Sequence, residues 1–134
     1  MKTLIADTNI FLRFLTNDLP SQAIRVKEIF YEAEKGRLRI LVLPITIVEI
    51  LYQLQNWYDF SKVSAVEKLM SLFSPGWIEL DNKDRVIEAL EKYKDINIDF
   101  VDILTWAMAK AQNVEILSFD KDFDKLTPKL RRKP

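Results

Sequence analysis

The feature that most constrains this chain is the alternation of short apolar runs with amphipathic segments of helical length. Four runs read as strands, at residues 3–6, 39–43, 77–80 and 115–119. They are rich in Leu and Ile and nearly continuous in apolar character, the pattern of parallel strands covered on both faces. Helical periodicity fills the gaps. Residues 21–35 carry Ile24, Ile29, Phe30 and Ala33, follow Pro20 and stop at Gly36, a good C′ residue. Further helices are expected over 46–57, 61–74, 82–94 and 99–112. Strands alternating with helices predict an α/β domain whose sheet is mainly parallel, with right-handed crossovers.

A length of 134 residues suits one domain with a sizeable core. Twenty basic and twenty acidic residues cancel, so no global nucleic-acid-binding charge is signalled, although a local patch is left open. Cys and His are both absent. That removes disulfides, thiol nucleophiles, zinc fingers, Ser-His-Asp triads and any His general base. Catalysis would need carboxylates, Lys, Tyr or a metal held by oxygen. Absence of Cys also suits a reducing cytoplasm. Asp7 and Asn9 interrupt the first apolar stretch too early for a signal peptide. The apolar run at 40–48, broken by Pro44 and Thr46, is too short to span a bilayer.

Parallel sheets of this kind bind ligands at the carboxyl ends of their strands. Asp7 ends the first run and Asp120 the last. Glu49 sits in LPITIVEIL among apolar neighbours. Thr46 to Glu49 also reads as a capping box, with Glu at N3 bonding back to the cap amide. In INIDFVDIL, Asp99 is a plausible N-cap and Asp102 then falls at N3, where a negative charge suits the helix dipole. Phe100, Val101, Ile103 and Leu104 crowd Asp102, which a solvated cap residue does not require. Asp122 and Asp124 read more simply as turn or capping residues. Asn9 and Ser118 stand beside Asp7 and Asp120, where small polar groups orient carboxylates or water.

Asp7, Glu49, Asp102 and Asp120 thus fall at comparable junctions. Clustered carboxylates are costly to desolvate without a cation. All-carboxylate ligation favours Mg²⁺ or Mn²⁺. Such an ion activates water and stabilises phosphoryl charge, so the acids agree with hydrolysis of a phosphodiester.

IADTNIFLRFL, ITIVEILYQL, IDFVDILTWAMA and EILSFDKDFDKL, in this order and spacing, resemble the PIN-domain ribonucleases, especially VapC-like toxins of prokaryotic toxin–antitoxin pairs. The resemblance implies a three-layer α/β/α sandwich and a homodimer. It also implies an RNA substrate and an antitoxin that blocks the active-site groove. On it, Asp7, Glu49, Asp102 and Asp120 match the metal-binding acids, and Asn9 and Ser118 the small polar positions beside them. Asp99 matches an acid often found one helical turn before the main helix Asp. Ser118 stands where Thr is commoner, and DILTWAMA carries Trp106 where smaller residues are usual. RNA contacts are expected from Arg13, Lys110, Lys121 and a basic tail at about 128–134 that includes Lys129, Arg131, Arg132 and Lys133.

Two rival readings are a binding module of the same fold without turnover and another Mg²⁺-dependent α/β protein. For the latter, Asp-Thr-Asn is not the Asp-x-Asp of an aspartyl-nucleophile phosphatase, and no acid pair marks the first strand as in a phospho-receiver. The aromatics Tyr52, Trp57, Tyr58, Phe60 and Phe73, with Met70, read as core that also suits a dimer or antitoxin surface.

Overall fold

Apolar side chains at alternate positions of two neighbouring strands build the sheet on which the first half of the chain folds. The computed structural model describes residues 1–134, which divide into two units, Met1–Asp81 and Asn82–Pro134.

The first unit runs β1 (Lys2–Ile5), α1 (Thr8–Thr16), α2 (Pro20–Glu34), β2 (Leu38–Val42), α3 (Pro44–Asn56), α4 (Lys62–Phe73) and β3 (Ile78–Leu80). The strands are all parallel in the order β1-β2-β3. Leu4 lies beside Ile40, Ile40 beside Ile78, and Val42 beside Leu80. Ile40, Val42, Ile78 and Leu80 are buried, whereas Ile5 is 63% exposed and Arg39 is exposed. Burial on this sheet is therefore one-sided, against the two-sided burial expected from composition. Arg39 and Glu79 account for part of the difference. They pair across β2 and β3 through hydrogen bonds of 2.7 to 3.0 Å on the open face, which gives two charged groups a place in otherwise apolar strands.

The helix ends follow local chemistry. Arg37 N–H donates to Glu32 O and Gly36 N–H to Ala33 O, each at 3.0 Å. With Gly36 at φ 75°, this is a Schellman close of α2 at the expected glycine. Ser61 caps α4 by accepting from Ser64 N. Helix α1 was not among the expected elements, although Asn9, Arg13 and Thr16 recur at helical spacing on one side of it; it spans only Thr8–Thr16 and follows the first strand almost directly. Its cap, Asp7, was the available signal. Phe11 and Leu12 are buried, and Phe11, Phe14 and Trp77 surround the Phe30 ring at centroid distances of 4.8 to 5.9 Å. This aromatic cluster joins α1, α2 and the approach to β3.

The second unit comprises α5 (Lys83–Asp95), α6 (Phe100–Gln112), β4 (Ile116–Leu117), a 3-10 helix at Lys121–Lys125 and β5 (Arg131–Arg132). Val86, Ala89 and Leu90 of α5 and Ile103, Trp106 and Ala107 of α6 are buried, and the two helices pack on one another. The Trp106 indole N–H donates to Pro128 O at 3.0 Å, so the bulky residue in DILTWAMA ties α6 to the segment before β5.

Strand β5, parallel to β4, lies in the segment expected to be a basic tail. Ile116 N–H donates to Leu130 O and Ser118 N–H to Arg132 O. Arg131 forks onto Asp124 at 3.2 and 2.8 Å and also donates to Ser118 O. Its guanidinium lowers the pKa of Asp124 below the usual carboxylate value. The stabilising contribution is therefore present above the ordinary Asp pKa and is lost as pH falls through the depressed one. Replacing Asp124 with Asn is expected to remove that acid-dependent part of the melting curve. It should also speed hydrogen exchange at the Ile116 and Ser118 amides.

Candidate functional site

In the first unit, Ala6 N–H still donates to Leu41 O at 3.1 Å, and the chain then turns into α1. Asp7 is the N-cap of α1. Its backbone is extended at φ −90° and ψ 176°, and Oδ1 accepts from Ile10 N at 3.4 Å. The carboxylate is exposed, and Oδ1 is the oxygen that serves the helix. Thr8, the next residue, is 8% exposed. Its hydroxyl donates to Glu49 Oε2 at 2.6 Å, across 41 positions of sequence.

The capping-box reading of Glu49 is corrected here. Helix α3 starts at Pro44 with Leu43 as N-cap, so Glu49 lies well inside the helix. Proline at N1 has no N–H to satisfy and its ring presets a helical φ, which favours the earlier start. Thr46 N–H is satisfied by Leu43 O at 3.0 Å and leaves Glu49 to Thr8. Asn9 is exposed on α1 and lines a groove with Arg13, Gln22 and Arg25. Arg13 is engaged within the unit: Nε donates to Gln22 at 2.8 Å and Nη1 pairs with Asp18 at 3.3 Å. Asp18 also accepts from the Tyr58 hydroxyl at 2.7 Å, which is the largest cause of its lowered pKa.

In the second unit, Asp99 occupies the N-cap of α6 and Asp102 its N3 position, as the spacing predicts. Asp99 makes no side-chain cap bond, so its carboxylate is not consumed by the helix. Asp102 is half-buried. Burial is the main cause that raises its pKa, and the nearby charges of Asp99, Asp120 and Asp122 raise it further. Four carboxylates of one unit are therefore near enough to repel.

Asp120 N-caps the 3-10 helix, and its Oδ1 accepts from Asp122 N at 2.8 Å. Ser118 Oγ accepts from Asp120 N at 2.9 Å. The Ser118 hydroxyl thus fixes the backbone of the residue that bears the acid. Asp122 pairs with Lys125 at 2.9 Å.

Within either unit no three acids form a ready-made metal cage. Each unit holds part of the acid set, with Asp7 and Glu49 in the first and Asp99, Asp102, Asp120 and Asp122 in the second. Among the basic candidates, Lys110 pairs with Glu88 and sits 4.4 Å from the Trp106 ring centre. Arg131 is committed to Asp124. Lys121 is exposed, and Arg132 is exposed with a 3.4 Å contact to Glu115. Thr8 was not singled out from sequence. Its signal was slight, a small hydroxyl residue directly after a strand-end Asp.

The chain is thus an α/β protein with parallel strands and carboxylates at the starts of α1, α6 and the 3-10 helix. The sequence matches the PIN domain over residues 4–128, and the chain belongs to that family. It is similar to a VapC ribonuclease of Aquifex aeolicus (strain VF5), with 26% identity over 125 residues, covering 91% of this chain and 90% of the relative. No helix is long and apolar enough to cross a membrane.

Proposed function

We propose that this chain is an endoribonuclease that uses Mg²⁺ or Mn²⁺ and acts in the cytoplasm as the toxin of a VapC-like toxin–antitoxin pair. The observation that carries the proposal is the Asp102 cluster. A half-buried carboxylate is held near three others at the start of a helix, in a chain without His or Cys. PIN-family membership and the likeness to a VapC ribonuclease support it.

The donor set fits a hard divalent cation, since every candidate ligand is a carboxylate oxygen. On the family resemblance, Asp7, Glu49, Asp102 and Asp120 are the acids assigned to metal binding. When bound, the ion lowers the pKa of a coordinated water and stabilises charge on the phosphoryl oxygens. Asp7 is held at the strand end by its cap bond to Ile10. Asp120 is oriented by the Asp122 amide, and its backbone is fixed by Ser118. Asn9, Asp99 and Asp122 support the acids, and the exposed Lys121 and Arg132 are assigned to RNA phosphates. Tyr52 and Trp57, 61% and 74% exposed, supply a face for a second copy or an antitoxin. Sedimentation tests the homodimer, and a monomer at high concentration would remove it.

Mn²⁺ titration of wild type and Asp7→Asn, with melting and RNA cleavage read from the same samples, tests the proposal. Asn caps a helix as well as Asp does, so the metal-free melting temperature should hold. Cleavage and metal-induced stabilisation should be lost in the variant, and chelation should silence the wild type. Unchanged cleavage by Asp7→Asn, in a preparation free of host nuclease, would refute the mechanism. The second reading is a PIN-fold module that binds RNA or protein without turnover. Binding of RNA without cleavage under any metal would decide for it.

A further inference from the structure

The Thr8–Glu49 hydrogen bond is the one long-range contact made by an acid of the first unit's proposed site. Thr8 is the first residue of α1, directly after Asp7, and Glu49 lies on α3. The hydroxyl is on a residue only 8% exposed and donates to Oε2 at 2.6 Å, while Glu49 itself is exposed. An exposed Glu on a helix ordinarily samples several rotamers, because its side chain loses considerable freedom when fixed. Here one buried hydroxyl holds one carboxylate oxygen and leaves Oε1 without a hydrogen bond inside the chain. A short bond to an ionised acceptor is the stronger kind and favours a single orientation.

From this geometry we infer that Thr8 is a positioning residue: its hydroxyl fixes the Glu49 carboxylate relative to the helix that Asp7 caps, so that Glu49 presents its other oxygen toward the proposed cation in one orientation. This rests on the ribonuclease reading and names the residue that aligns one of its acids. A group displaced by a fraction of its productive geometry loses rate more than affinity. Thr8 therefore acts on turnover, and RNA binding is left nearly intact.

Thr8→Val removes the donor and keeps the shape, and Thr8→Ser keeps the donor. Thr8→Val is expected to lower kcat for RNA cleavage by about tenfold or more, with KM within about twofold. Thr8→Ser should restore most of the rate. In metal-free urea unfolding, Thr8→Val and Glu49→Ala should be sub-additive, which reports the bond without any catalysis.

Wild type and Asp102→Asn are assayed in parallel. If wild type fails to cleave, or Asp102→Asn cleaves equally well, the ribonuclease reading falls and this inference with it. If those controls behave but Thr8→Val turns over like wild type, the positioning role alone is overturned. Equal losses in the Val and Ser variants, or strictly additive unfolding, would also overturn it. Should Thr8→Val fold poorly, Thr8→Ala is compared with Thr8→Ser by the same readouts.

Discussion

Asp102→Asn is expected to abolish RNA cleavage and, without metal, to make the protein more stable. Both results come from one arrangement. Asp102 stands at N3 of α6, half-buried, with the charges of Asp99, Asp120 and Asp122 close by. Burial and this repulsion raise its pKa above the ordinary Asp value of 3.8. A folded-state pKa above the unfolded one means that the native protein holds the proton more tightly. Stability is therefore greatest where the carboxyl is protonated, and this contribution is lost as pH rises through the raised pKa. At neutral pH the ionised group opposes folding unless a cation compensates it.

Asn removes the charge, keeps the size and lifts the penalty. Metal-free melting temperature at neutral pH should rise, and the part of its decline that begins near pH 3.8 in the wild type should disappear. The same substitution removes the charge of a proposed metal ligand. Metal stabilisation of a phosphoryl transition state contributes several kcal/mol, so the loss in rate should be about a hundredfold or more. Mn²⁺ should stabilise the wild type and leave the variant unchanged. Melting curves at several pH values, with and without Mn²⁺, check each part. A metal-free protein destabilised by Asp102→Asn would show that the acid serves the helix start and not a cation.

The second large effect is on the fold. Phe30→Ala should destabilise the first unit by about 3–5 kcal/mol, a large share of the about 5–15 kcal/mol that holds a typical domain together. Phe30 is 3% exposed. It contacts Phe14, Trp77 and Phe11 at ring centroid distances of 4.8, 5.3 and 5.9 Å. Its removal leaves a cavity that three elements would have to collapse to fill. One of them is α1, which is capped by Asp7 and carries Thr8. Activity should consequently fall at temperatures where the wild type is stable. Phe30→Leu keeps most of the volume and should cost less. Urea unfolding checks this through a lower midpoint at an unchanged slope, since the surface exposed on unfolding is nearly the same.

What could be read from the chain alone was what depends on near neighbours. Short apolar runs located β1 to β4, and apolar periodicity located α2 to α6, because burial marks an element wherever it lies. Pro20, Gly36, Ser61 and Asp99 marked helix ends through backbone groups a few residues away. The placement of Asp99 and Asp102 at the cap and third position of α6 needed no more than their spacing.

Tertiary structure alone decided what depends on distant partners. Glu49 was locally a capping-box residue, but α3 begins at Pro44, and the acid bonds to Thr8 from 41 positions away. Arg131 was locally part of a basic tail, but Asp124 and β4 draw its segment into a strand. One face of the first sheet is open where strand composition suggested two covered faces, and Arg39 and Glu79 occupy it. A carboxylate or guanidinium has several local ways to be satisfied, and periodicity does not rank them. The choice falls to whichever partner the packing of helices and strands brings within hydrogen-bond reach.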